Sequence, residues 1–421
     1  MLRSEQLKRP LLWVPSSFFA MGLVNQILVV VSAIMFRNLG MGYAEAAAYA
    51  SQFYLAYAIQ PLLAPLVDTF KTRKFYVVGS QLCIAVGFGL VALCLQLPAY
   101  VAIVIAILWL VSFAGSIQDV ASNGVYLNAL DNKQQAKFIG LQSLSWGLGP
   151  IVGAGAMVAY SGHLFSTLGS WVSVWQIIFA LLSVILLLIA LIHQALLPAD
   201  PPASVPVVEK PTLKLTHAFT SFFLKKDIGI MIAFAFFYRL SQGLLEKIVP
   251  FFMMDPLSNG GLGLDNIALG NINSLGFSAF LVGSVAGGWF IVRRDLKPSL
   301  MFLCCAVNIP NIFYVLLSLY QPESFWLVAA AIPLEKFFFG MGATGHMIYM
   351  MQQLAPGEFR TTHYAFGTGF MGLCMWSMGS VSGFLVELLG YQQFFIVVLL
   401  AAIPSFYVTW RVPFNQGAAA S

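Results

Sequence analysis

Charge is what this sequence has least of. Of 421 residues, only 9% are Asp, Glu, Lys or Arg, while 59% are hydrophobic and the mean hydropathy is +0.84. A soluble domain carries about 25% charged residues, so this chain cannot clothe a water-facing surface. That excludes a soluble enzyme, a secreted disulfide scaffold and a nucleic-acid-binding domain. The formal charge of +5 is therefore a loop bias and not a nucleic-acid footprint. Barrels alternate polar and apolar residues and score far lower, which leaves an all-α polytopic membrane protein.

Cysteine is scarce too. Cys83, Cys94, Cys304, Cys305 and Cys374 are odd in number and sit in apolar runs, so they read as packing residues and not as a disulfide framework. No Cys or His pair has metal-site spacing, and no glycine-rich loop could cradle a phosphate. Neither a catalytic constellation nor a resident cofactor is expected. The basic start MLRSEQLKRP leads into an apolar run too long for a cleaved leader, so it reads as a first span.

What the sequence does have is long apolar runs. A span needs about 20 such residues. Twelve transmembrane helices are expected near 11–36, 44–67, 75–96, 99–124, 136–160, 171–196, 228–253, 266–291, 298–320, 325–352, 362–387 and 391–411. With the N-terminus inside, 17 of the 21 Lys and Arg fall in cytoplasmic segments, against Arg37 alone in the external loops. This is the positive-inside pattern, with both termini cytoplasmic. The proline-rich connection, with Pro198, Pro201, Pro202, Pro206 and Pro211, parts a six-helix bundle of residues 1–197 from another of 228–421. Residues 198–227 form the linker, and its LKLTHAFTSFFLKK stretch would lie as an amphipathic helix at the inner leaflet.

Two six-span halves joined by a long cytoplasmic loop resemble the major facilitator architecture. The turn after span 2, APLVDTFKTRK, and its counterpart after span 8, WFIVRRDLKP, resemble that superfamily's charged loop. This puts Asp68, Arg73, Lys74, Arg293 and Arg294 forward as a conformational latch. In major facilitator folds, spans 1, 4, 7 and 10 line the central cavity. The buried charges here are Asp119 in span 4, Arg239, Glu246 and Lys247 in span 7, and Glu335, Lys336 and His346 in span 10. Intramembrane ionisable residues are costly and point to function.

Spacing sharpens the list. Arg239, Gln242 and Glu246 fall three and four apart, on one stripe of span 7. Glu335 and His346 share a face of span 10. A pair of Glu335 with Arg239 or Lys336 would lower the cost of burial and could switch with protonation. Asp119, Glu335, Glu246 and His346 are thus the candidate proton-coupling groups. Arg239 and Lys336 are candidates for substrate carboxylates, with Gln242, Asn25, Gln26, Tyr57, Gln142, Trp146 and Trp376 as polar and aromatic partners of a polar solute. Lys247 reads as snorkelling to the surface, and Phe337, Phe338 and Phe339 as packing. GLGPIVGAG in span 5 reads as close helix packing, though it also resembles an antiporter motif of drug exporters.

Closer resemblance comes from SIQDVASNGVYLNAL (116–130), YRLSQG (238–243) and THYAFGTGFMGL (362–373) with LGYQQFFIVVLLAAIPSF (389–406). These are similar to the peptide/acetyl-coenzyme-A transporter family and its AmpG-like permease subgroup. Gln118 and Asp119 match a Gln-Asp pair, and Arg239 a basic position, with Gln242 where the family has an acid. The resemblance implies a monomeric inner-membrane permease importing muropeptides with protons. Import of ferric siderophores or acetyl-coenzyme A, proton-antiport export and a non-transporting membrane sensor are the alternatives. The expected partners are a small-molecule substrate and membrane lipids, with no nucleic acid.

Overall fold

The computed structural model describes residues 10–69, 71–130, 132–198, 211–356 and 359–414. These residues form helices and connecting turns, and the parts before and after the linker are termed the first and second half. Ten helices are long and apolar enough to cross a membrane. Two places account for the difference from twelve. Span 2 is broken at Phe53 and Ile59 into Tyr43–Gln52, Tyr54–Ala58 and Gln60–Thr69. Spans 11 and 12 run together as Thr362–Arg411, where Gly390 turns the chain at φ 71°, a conformation that glycine adopts freely. The outward surface is apolar, with Leu110, Val285, Val292 and Leu388 exposed, as contact with lipid tails requires.

Across the interface between the halves, span 2 packs on span 11 and span 5 on span 8. Both contacts are close beside Tyr43–Gln52 and Val158–Leu168, and thin toward Gln60–Thr69 and Asn132–Pro150. The halves are thus shut at the end that carries Arg37 and Asp255, and part toward the end that carries Arg73 and Arg293. Small residues permit the tight approach. A Cβ on Gly270 of span 8 would run into the backbone of Gly155 and Ala159 in span 5. The GLGPIVGAG run is therefore a packing device, as its composition suggests. Spans 1 and 5 each contain a wide π turn, Ile27–Val31 and Ile151–Met157, and these two turns touch.

Part of the linker, residues 199–210, lies outside the described residues. The expected amphipathic stretch is helix Pro211–Phe223. Its Phe219 and Phe222 rings pack on Phe366 of span 11 at 4.8 and 4.9 Å. Beyond it, Lys225 does not reach for headgroups. Its Nζ donates to the Leu354 and Pro356 carbonyls at 2.6 and 2.8 Å, which ties the linker to the end of span 10. Burial pushes this amine from 10.5 down to about 8. Between those values the unfolded chain holds a proton that the folded chain has shed, so stability rises with pH across that window. Thermal melts should show the wild type gaining on Lys225→Met between pH 8 and pH 10.5, and parallel profiles would remove the titration from Lys225.

Candidate functional site

A cavity of about 240 Å³ lies between the halves. The first half contributes Asn25, Gln26, Tyr54, Trp146 and Pro150 to its wall. The second contributes Arg239, Gln242, Glu246, Asn273, Lys336 and Phe339. The helix irregularities explain how these side chains come to point inward. Asn25 and Gln26 directly precede the π turn of span 1, and Pro150 the π turn of span 5. Span 7 breaks between Ile228–Phe237 and Leu240–Met254, and Arg239 sits in that break at φ −110°, ψ 25°. The expected stripe of Arg239, Gln242 and Glu246 therefore does face one space.

The electrostatics fall into three groups. Glu335 is fully buried behind the cavity wall. Its carboxylate accepts Tyr314 Oη–H at 2.7 Å and Gln242 Nε2–H at 3.2 Å, and pairs with Lys336 Nζ at 3.1 Å. Of the two pairings open to Glu335 from the sequence, the one with Lys336 forms. Glu246 pairs with Lys247 and accepts Tyr54 Oη–H from the other half at 2.7 Å. Arg239 makes no ion pair among the described residues. Its guanidinium lies over the Phe339 ring at 4.9 Å with Nη1 against Met371 Sδ at 3.2 Å, and its Nε has no hydrogen-bond partner. Counting Arg239, Glu246, Lys247, Glu335 and Lys336, this region carries one positive charge without a counter-ion.

Several residues stand elsewhere than expected. Lys247 does not snorkel: its side chain is 0% exposed, because Glu246 neutralises it in place. Phe339 is a cation platform for Arg239 and Lys336 and not simple packing. His346 is fully buried away from the cavity, stacked on Tyr238 at 4.7 Å and edge-on to Phe234 at 5.3 Å. Gln142 and Trp376 do not line the cavity. Tyr57 stands one layer out, near Asn25 and Asp119, with Gln60 beside that acid. Gly115 leaves room for the Tyr57 hydroxyl, so a polar thread runs from Asn25 toward Asp119. Of the proposed latch, the Asp68 side chain lies outside the described residues. Arg73 packs on Gly124, and Lys74 is half-buried beside it at the start of span 3. Arg293 and Arg294 are exposed and stack on Trp289 and Phe290 of their own span at 3.9 and 5.1 Å. Sequence reasoning missed Tyr314 altogether. Nothing local marks a tyrosine in span 9 as the partner of an acid in span 10.

The shut end is sealed by polar contacts between the halves. Asp255 takes Arg37 Nη2–H at 3.0 Å, Tyr391 Oη–H at 2.7 Å and the Tyr43 hydroxyl. Glu387 accepts the Ala44 N–H at 3.0 Å, and Asn266 donates to Asn38 and Ser161, each at 2.9 Å. A charge this sheltered cannot lose its partner cheaply, so Asp255 holds the seal. With the five native cysteines removed and Val30→Cys added in the cavity wall, Asp255→Asn should raise labelling by an impermeant maleimide from the Arg37 side several-fold. Unchanged labelling would take Asp255 out of the seal.

Comparison with known proteins agrees with this architecture. Residues 15–384 match the family described as the Major Facilitator Superfamily. The chain is 24% identical over 360 residues to the anhydromuropeptide permease of Escherichia coli K12, covering 83% of this chain and 69% of that protein. It is also 24% identical over 367 residues to the putative transporter AmpG 4 of Rickettsia felis, covering 84% of each. The fold matches a D-xylose-proton symporter with a TM-score of 0.75 at 11% identity, covering 94% of this chain and 96% of that one. It matches the nucleoside transporter NupG with a TM-score of 0.70 at 20% identity, covering 98% of each chain.

Proposed function

Since the chain belongs to the Major Facilitator Superfamily and is a transporter of that fold, we propose that it imports an anionic muropeptide with protons, by alternating access across a bacterial inner membrane. The observation that carries this reading is Arg239. It is a guanidinium at a cavity wall with no carboxylate of its own, backed by an aromatic ring. Such a group is suited to a solute carboxylate, which would supply the missing counter-charge. Trp146, Asn25, Gln26 and Asn273 on the remaining wall offer a flat apolar face and amides, as a sugar ring prefers. Drug-sized ligands occupy about 300–1,000 Å³, so a cavity of about 240 Å³ would seat the acidic sugar unit, with the peptide in the gap between the halves.

The loop cations place the basic end in the cytosol, so the shut end faces outward and the state is inward-facing. The same pattern puts both termini in the cytosol. Glu335 is the proton-linked acid of the second half. Protonation would free Lys336 to join Arg239 in holding the anion. Asp119, reached from Asn25 through Tyr57, is the acid by which protons pass to the cytosol. The fall of the seal on Asp255 and the joining of the basic ends would complete the cycle. A single copy contains all of these parts, and the working unit is a monomer.

Binding of purified anhydromuropeptide tests the reading. Losing one partner of a sheltered charge pair costs about 2–5 kcal/mol, so Arg239→Gln should weaken binding by about 30-fold or more while the protein stays folded. Equal affinity of the wild type and Arg239→Gln would reject the carboxylate role. Absence of wild-type binding would reject muropeptide as the solute.

A further inference from the structure

The cavity wall and the buried acid behind it share one residue, Gln242. It lines the cavity, is 3% exposed, and sends its amide toward Glu335. All three groups that touch the Glu335 carboxylate are donors: Tyr314, Lys336 and Gln242. A carboxyl group is acceptor-only when it is ionised, and three donors around it match a deprotonated Glu335. The Gln242 Nε2 also reaches Asn311 Oδ1 at 3.3 Å, which leaves the buried Asn311 Nδ2 without a partner. An unmet buried donor costs about 1–3 kcal/mol, so this state carries a defect that a different amide orientation would relieve.

We propose that Gln242 is an amide rotor that reports the protonation of Glu335 to the substrate cavity. The inference rests on the proton-coupled reading above. A proton arriving at Glu335 Oε1 makes that atom a donor, and a donor facing the Gln242 NH₂ is a clash. Half a turn of the Gln242 amide places its carbonyl there instead. That carbonyl accepts from the Glu335 O–H and, after the same turn of Asn311, from the Asn311 Nδ2 that lacked a partner. The Gln242 NH₂ then points along the cavity wall. Lys336, its counter-charge gone, turns to the cavity as well. One proton on Glu335 thus adds an ammonium and an amide donor beside Arg239. No bond other than the O–H is made.

The other ionisable groups near this centre do not touch the Glu335 carboxylate. Arg239, Glu246 and Lys247 share span 7 with Gln242, and His346 lies three turns along span 10 in its aromatic cluster. Cys374 is buried in span 11, and Tyr391 is engaged with Asp255. Span 8 adds only Arg293 and Arg294, at its far end. Among the described residues, Lys336 and Tyr314 are the ionisable side chains in direct contact.

The rotor predicts that an anion binds tighter as pH falls, because proton and solute favour each other reciprocally. The affinity of the wild type for anhydromuropeptide should rise by about tenfold on acidification. Gln242→Met should flatten that ratio, whatever its absolute affinity. A substrate-free arm reads the acid itself. Infrared difference spectra should show a protonated-carboxyl band that grows on acidification, is missing in Glu335→Gln and shifts in Gln242→Met, which has no acceptor to offer. An unmoved band in Gln242→Met, or no Glu335 band in the wild type at any pH at which it stays folded, overturns the rotor. A wild-type pH ratio in Gln242→Met overturns it too. If the wild type fails to bind anhydromuropeptide, the solute assignment falls, and the infrared arm still decides the rotor.

Discussion

The contact between Glu335 and Lys336 governs the rest of the site. A fully buried carboxylate is tolerated only with its charge matched and its lone pairs filled. Lys336 does the first at 3.1 Å, and Tyr314 and Gln242 do the second. Because Glu335 is satisfied within its own half, it is not spent on Arg239. Glu246 is likewise taken by Lys247 and Tyr54. Two acids are thus committed to two lysines, and the guanidinium is left facing the cavity. The unmatched positive charge at the cavity is a remainder of internal pairing and not the work of one residue.

That remainder sits within a frame that the halves share unevenly. At the Arg37 end the contacts that cross the interface are polar and converge on Asp255 and Glu387. Within the cavity, Tyr54 crosses to Glu246. Beyond it, the halves draw apart. The closures combine hydrogen bonds and one ion pair with close glycine contacts, Gly270 against Ala159 and Gly383 against Tyr43, and the polar part can break and reform at modest cost. In the proposed cycle the halves would rock about a fixed site.

Much of this could be read in the residues. Apolar length marked the helical membrane class, because burial in lipid leaves the sequence few options. The rarity of buried charge pointed to Arg239, Glu246, Glu335 and Lys336 before any coordinates. What stayed hidden were the contacts between helices distant in sequence. The choice of Lys336 over Arg239 as partner of Glu335 depends on Tyr314 and Gln242 closing round the carboxylate. Phe339 reads as packing until its ring is seen beneath two cations. Lys247 and His346 were misplaced for one reason: depth along a span follows from counting, but the direction a side chain faces follows from neighbours. The breaks at Phe53, Ile59 and Arg239 leave no mark in local composition.

The most direct measurement is made in proteoliposomes holding the purified protein, with labelled anhydromuropeptide outside and the lumen more alkaline than the medium. The account predicts that the solute accumulates above its outside concentration while the gradient lasts, and that Glu335→Gln abolishes the accumulation. Equal uptake with and without the gradient, or full accumulation in Glu335→Gln, would contradict it.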